Sequence, residues 1–210
     1  MNSNTNSVED IKAIRKIMEE SSRFLSLSGL SGVFIGLTAI AGALFAYFFI
    51  LDGNISYVEY FSNLPAEMTP STRWLLVADA GLVLVISVLL AIWFSVRKAK
   101  RSGKNFWTPI SKRLLINLLI PLVTGGVFVF VLLLQNYTEL IVPCFLIFYG
   151  LALVNAGKFT FGEIFYLGIL EIITGLVSAF FPGQGMIFWI TGFGILHIIY
   201  GLAMYRKYEA

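Results

Sequence analysis

Apolar residues in this chain gather into six long runs separated by short polar gaps. The runs cover Leu27 to Leu51, Trp74 to Val96, Leu114 to Leu134, Leu140 to Ala156, Phe159 to Phe181 and Met186 to Tyr205. At 1.5 Å rise per residue, about 20 residues cross roughly 30 Å of hydrocarbon, so each run predicts a transmembrane helix, the fourth being the shortest. Ahead of them, Ser7 with Asp10 reads as a helix-starting capping box. Val8, Ile11, Ile14, Ile17 or Met18, Ser21 and Leu25 then recur at helical spacing. This predicts one amphipathic helix within residues 1–26, followed by a six-helix domain over 27–205 and a tail over 206–210. Pro121 and Pro143 are expected to kink or cap the third and fourth helices. Between the first two spans, Ile55, Val58, Phe61 and Leu64 or Pro65 form a short helical stripe.

Composition agrees with the pattern. Of the residues, 58% are hydrophobic and 13% charged, against roughly a quarter charged in an ordinary soluble domain. With six spans accounting for most of the chain, no room is left for a globular domain outside the bilayer. The net charge is only +3, and the basic residues flank the spans, which reads as topology and lipid contact and excludes a nucleic-acid surface. Cys144 stands alone within the fourth span, so no disulfide framework and no paired-cysteine metal or redox site is expected.

The basic residues also set an orientation. Alternate gaps hold Lys12, Arg15, Lys16 and Arg23; then Arg97, Lys98, Lys100, Arg101, Lys104, Lys112 and Arg113; then Lys158; then Arg206 and Lys207. Only Arg73 of the 15 falls in the other gaps. Cytoplasmic loops retain Lys and Arg, so both termini are expected in the cytoplasm. The amphipathic helix carries Glu9, Asp10, Glu19 and Glu20 against Lys12, Arg15, Lys16 and Arg23. Such a balanced face lies along the membrane surface or docks on a partner protein. No short basic start runs directly into an apolar core, so the first span is expected to stay as an anchor.

Ionisable residues inside a span are costly and mark candidate sites. Lys158 and Glu163, at the cytoplasmic start of the fifth span, read as a snorkelling end-cap pair. Asp79 lies roughly 8 Å into the second span from the outer side. It reaches either the interface or an outward cavity. Glu171 and His197 are the central pair. The fifth and sixth spans are joined by the tight turn Phe181-Pro182-Gly183-Gln184-Gly185. Counted from Gly183, Glu171 comes twelve residues before and His197 fourteen after, so the two stand at nearly one depth. Gly168, Glu171, Gly175 and Ser178 share one helix face, and Ile190, Gly194, His197 and Gly201 share another. Small residues allow close approach, so these two faces are expected to meet and to join Glu171 to His197. Ser28, Gly32 and Gly36 recur at intervals of four on the first span, a stripe for internal packing or for homodimerisation.

Gly29-Leu30-Ser31-Gly32 matches the GxSG of rhomboid intramembrane proteases, with His197 as the nominal base. Ser31 opens the first span, however, with His197 expected several turns deeper, and the fourth span holds no serine. No catalytic residues, cofactor or metal ligands are therefore assigned. The last third, from Phe188-Trp189-Ile190-Thr191-Gly192-Phe193-Gly194 through His197-Ile198-Ile199-Tyr200-Gly201, resembles small six-span bacterial inner-membrane proteins to which no activity is assigned. That resemblance implies an inner-membrane location.

The expected fold is an all-α integral membrane bundle of six transmembrane helices preceded by one cytoplasmic amphipathic helix. Two functions fit it. In one, Glu171 and His197, with Asp79 on the outer side, serve proton-linked transport or sensing of a small solute. In the other, a non-catalytic accessory protein binds a second copy or a membrane-protein partner through its amphipathic helix and Ser28/Gly32/Gly36 face. A water-filled cavity reaching Glu171 favours the first, and a dry core the second.

Overall fold

In the computed structural model, residues 23–64 and 68–210 are described. The amphipathic helix expected within residues 1–26 lies mostly outside them. Its end is corrected: Phe24 to Ser28 are not helical. Phe24 instead bonds across the connection between the fourth and fifth spans. Its N–H donates to the Phe159 carbonyl (2.7 Å) and its carbonyl accepts from the Thr160 hydroxyl (2.6 Å).

Among the described residues, six helices are long and apolar enough to cross a membrane. The first is α-helical over Gly29–Phe45 and π-helical over Ala46–Ile50. The second, Thr69–Arg101, reaches well past both ends of its apolar run. The third is Pro109–Leu134, started by a Thr108 and Ser111 capping box and continuous through Pro121. The fourth is a short 3₁₀ turn, Thr138–Leu140, leading into Ile141–Gly157. Pro143 sits in its first turn, where a missing N–H breaks no helical bond. The fifth is Gly162–Ala179. The sixth runs through Gly185–Trp189, a π-helical stretch Ile190–Leu196 and His197–Tyr208. The last helix thus continues through residues 206–208. A separate short helix, Tyr57–Asn63, occupies the loop after the first span, started by Ser56, whose hydroxyl accepts from the Glu59 N–H (3.3 Å).

Glycines decide which helices touch. Gly29, Gly32 and Gly36 of the first span lie directly on the sixth, where a side-chain carbon at any of them would press into Gly201, Met204, Tyr205 or Gly194 backbone. Gly150 and Gly168 meet in the same way between the fourth and fifth, and Gly175 lies on Pro143, Leu146 and Ile147. The Ser28/Gly32/Gly36 stripe is therefore spent on internal packing. The expected face-to-face pairing of the fifth and sixth spans is corrected, because each glycine stripe pairs with a different neighbour. Gly168 and Gly175 serve the fourth span, and Gly194 and Gly201 serve the first. The resulting order across the bundle is second, first, sixth, fifth, fourth, third. The second and third helices, at its edges, turn aliphatic side chains such as Leu89 and Ile120, both 61% exposed, outward, as lipid-facing helices do.

The two ends of the bundle are tied by polar contacts. At the terminal face the Glu209 carboxylate accepts from the Gly29 N–H (2.6 Å) and the Ser28 hydroxyl (3.1 Å). This satisfies the start of the first helix, where unpaired N–H groups favour a negative charge. The Lys98 ammonium donates to Glu209 (3.0 Å) and to the Leu27 carbonyl (2.7 Å), drawing in the second span. At the opposite face, the fifth and sixth spans turn through Gly183, whose φ of +93° suits glycine. There Arg73 donates to the Asn136 side chain and stacks over Phe61 (5.4 Å). Tyr57 is 9% exposed and donates to the Glu139 carbonyl (3.1 Å).

Gly201→Leu is expected to lower stability by at least about 1 to 3 kcal/mol through forced separation of the first and sixth helices. Gly126→Ala, whose added methyl meets open space, should leave stability unchanged or raise it by up to about 1 kcal/mol. Melting temperatures in detergent distinguish the two. Tyr57 supplies a second test. Burial, and then the charge of Glu139, push its hydroxyl up to about 12 from 10.0. The folded protein thus holds this proton longer than the unfolded chain. The associated stability is complete below pH 10 and is lost as pH climbs toward 12, an effect of order 2 kcal/mol. Tyr57→Phe should flatten that part of an alkaline denaturation curve relative to the unsubstituted chain.

Candidate functional site

Glu171 and His197 meet where the fifth and sixth spans adjoin. The carboxylate Oε1 lies 3.3 Å from the imidazole Nδ1. Glu171 is 0% and His197 2% exposed, so no water-sized space touches the carboxylate. Two features of the sixth span set this geometry. Gly192 lets the carboxylate in, since a side-chain carbon there would come within 2.6 Å of Glu171 Oε2. The π-helical stretch Ile190–Leu196 turns the backbone so that the Gly192 carbonyl faces the ring five residues on, accepting from Nδ1 at 3.1 Å. Such π-helical turns occur frequently at functional sites.

Tyr149 of the fourth span completes the cluster, its hydroxyl 2.8 Å from His197 Nε2. Phe193 and Tyr149 close over the imidazole, with ring centroids 6.3 and 5.4 Å from it. Turn symmetry would have found Tyr149. About a midpoint near Phe159 it stands ten residues before and Glu171 twelve after, the same depth argument that pairs Glu171 with His197.

The hydrogen-bond balance of the cluster is uneven. Both imidazole nitrogens are engaged, yet neither Glu171 oxygen has a hydrogen-bond donor in good geometry, because the Nδ1–H points at Gly192. The contact at 3.3 Å is close enough for charge attraction but is not an aligned hydrogen bond. Ser178, two turns further along the same face of the fifth span, is likewise buried with an unpartnered hydroxyl.

The remaining candidates stand apart. Asp79 packs beside Gly42 of the first span, while Gly32 packs beside the His197 carbonyl. Ten residues of helix, about 15 Å, separate these levels, so Asp79 does not join the central cluster. The Lys158 and Glu163 pairing is corrected. Glu163 accepts from Lys207 (2.5 Å) and from the Tyr208 hydroxyl (3.0 Å), and Lys158 reaches Asn155 (3.4 Å). The sixth helix continues far enough to bring Lys207 alongside the start of the fifth, and it displaces the sequence neighbour. Ser31 also differs from expectation in depth. Gly32 packs on Tyr200 and Gly201, so the first span meets the sixth about one turn from His197 and not several. The Ser31 hydroxyl donates to the Ser28 carbonyl (2.6 Å). Among the described residues, no three His, Cys, Asp or Glu side chains gather as a metal site.

Comparison with family models, with curated proteins and with solved structures gives no match. The site therefore stands on its own geometry.

Gly192→Ala sets a methyl against the Glu171 carboxylate. It should destabilise the protein by about 1 to 3 kcal/mol through overpacking, seen as a lower melting temperature.

Proposed function

We propose that this chain is a small bacterial inner-membrane protein, with both termini in the cytoplasm, that couples proton binding at Glu171 and His197 to the transport or sensing of a small solute. The observation that carries the reading is the enclosed carboxylate without a donor for either oxygen. Leaving a buried polar group unsatisfied costs about 1 to 3 kcal/mol, and an ionisable one within a membrane costs several. A side chain retained only to brace a hairpin is better served by a fully bonded partner or by none. With neutral imidazole and ionised carboxylate the pair carries one negative charge, and one added proton neutralises it. In an enclosed, low-dielectric site that change is large enough to favour a different packing of the surrounding helices.

The inner-membrane orientation draws on the gathering of Arg97, Lys98, Lys100, Arg101, Lys104, Lys112, Arg113, Lys158, Arg206 and Lys207 at the terminal face, with Arg73 at the other. Asp79 is a separate carboxylate in the outer half of the second span, suited to meeting solute from that side. Closure of the pair from both faces corresponds to the occluded stage of such a carrier. No chemical transformation of the solute belongs to this reading.

The dry packing around Glu171 favours a second reading, a non-catalytic accessory protein whose polar cluster fixes the bundle while a partner is bound elsewhere. Because Gly32 and Gly36 are consumed by the sixth span, a partner or second copy would use the outward faces of the second and third helices, or residues 1–26.

Proton flux and solute uptake in sealed vesicles separate the two readings. Glu171→Gln is expected to abolish proton-driven flux while the protein still folds. Unchanged flux or signalling together with a lowered melting temperature would leave only the accessory role.

A further inference from the structure

The hydrogen bonds around His197 fix which of its nitrogens takes up a proton. A carbonyl oxygen only accepts, so the bond from Nδ1 to the Gly192 carbonyl at 3.1 Å requires a hydrogen on Nδ1. The other neighbour of Nδ1, the Glu171 carboxylate at 3.3 Å, is also an acceptor and favours a hydrogen on Nδ1 through charge, without an aligned hydrogen bond. A neutral imidazole carries one hydrogen, so Nε2 presents a lone pair. The group facing it at 2.8 Å is the Tyr149 hydroxyl, which therefore donates.

We infer that Nε2 of His197 is the proton-accepting atom of the site and that the Tyr149 hydroxyl is the group through which the proton arrives. The phenol O–H bond breaks as the Nε2 lone pair takes its proton, and the phenol oxygen takes an incoming proton in exchange. Tyrosine is restored, and the imidazole gains one proton and one positive charge beside Glu171. Glu171 and His197 are enclosed, and the Tyr149 hydroxyl is the one group hydrogen-bonded to Nε2, at 2.8 Å. The titratable groups facing the imidazole are Glu171 from the fifth span and Tyr149 from the fourth. The first span presents Gly32 and Gly36 there, and Tyr200 follows on the sixth span itself, packing with Tyr149 on the cluster of Leu153, Ile164 and Leu167.

This assignment deepens the proton-linked reading and rests on it for its biological use, but its chemistry is measured separately. His197 is the single histidine of the chain, so protein labelled with ¹⁵N-histidine gives one imidazole spectrum needing no residue assignment. The expected result for the unsubstituted protein is a hydrogen on Nδ1 and a bare Nε2 that becomes protonated as pH falls. Tyr149→Phe should shift the Nε2 resonance, leave the Nδ1 hydrogen in place and slow proton uptake at least about tenfold. A resting hydrogen on Nε2, or an Nε2 signal and uptake pH profile indifferent to Tyr149→Phe, would overturn the assignment. If that variant fails to fold, the resting tautomer and its titration in the unsubstituted protein decide the matter. Protonation at Nε2 with no flux in native vesicles would support this assignment and remove the carrier reading instead.

Discussion

Glycine against backbone is the contact on which the rest of this bundle depends. In lipid, apolar side chains gain nothing by leaving the acyl chains for one another, so helices associate through close van der Waals approach and internal polar bonds. Gly29, Gly32 and Gly36 let the first span lie on the sixth at Gly194, Gly201 and Met204. Gly150 and Gly168 do the same for the fourth and fifth. These two tight pairs hold the fifth and sixth spans at a set distance from each other. The sixth contributes His197 and the fifth Glu171, and the space left at Gly192 is taken by the carboxylate and Leu146. Charge placement at the centre therefore depends on glycine placement, both on the two helices that carry the charges and on the first and fourth helices packed against them.

The contrast between the ends and the middle of the bundle follows from the same constraint. At the terminal face, Glu209 satisfies a helix start and Lys98 satisfies both Glu209 and Leu27. At the opposite face Arg73 engages Asn136 and Tyr57 engages the Glu139 carbonyl. In the centre, where burial makes an unsatisfied group most expensive, Glu171 is left without a donor. Ser95 and Ser178 hydroxyls and the Arg73 Nε are also buried without a partner, but among the described residues Glu171 is the buried carboxylate left so, and a carboxylate is the costliest of these groups to leave unsatisfied.

Much of this was legible in the residues because the bilayer imposes simple rules. Span number followed from the lengths of the apolar runs, and the common depth of Glu171 and His197 followed from a short turn centred on Gly183. Partner choice among glycine stripes was not legible. A face bearing Gly194 and Gly201 fits the fifth span as readily as the first until Gly29 and Gly32 are seen opposite it. The Lys158 and Glu163 pairing failed for a related reason, since separation along the chain does not reveal that the sixth helix extends to Lys207. The π-helical stretch has no sequence signature of its own, and Tyr149 was hidden among many membrane aromatics although turn symmetry pointed at it.

The π-helical stretch has a consequence for how the site holds its proton. In a regular α-helix the Gly192 carbonyl would be spent on the N–H four residues later and turned along the axis. In the wider turns between Ile190 and Leu196 the carbonyl is directed five residues on, to His197, where it lies 3.1 Å from the ring Nδ1, and this contact fixes the tautomer from within the same span. Because the hydrogen of Nδ1 is committed to Gly192, Glu171 acts on the imidazole through charge more than through a shared hydrogen, and the lone pair of Nε2 is left to Tyr149 on the fourth span. Helices from three parts of the chain thus hold one ring. A change in proton occupancy at that ring would alter an electrostatic contact to the fifth span and a hydrogen bond to the fourth in the same event, which is the coupling that the proposed proton-linked reading requires.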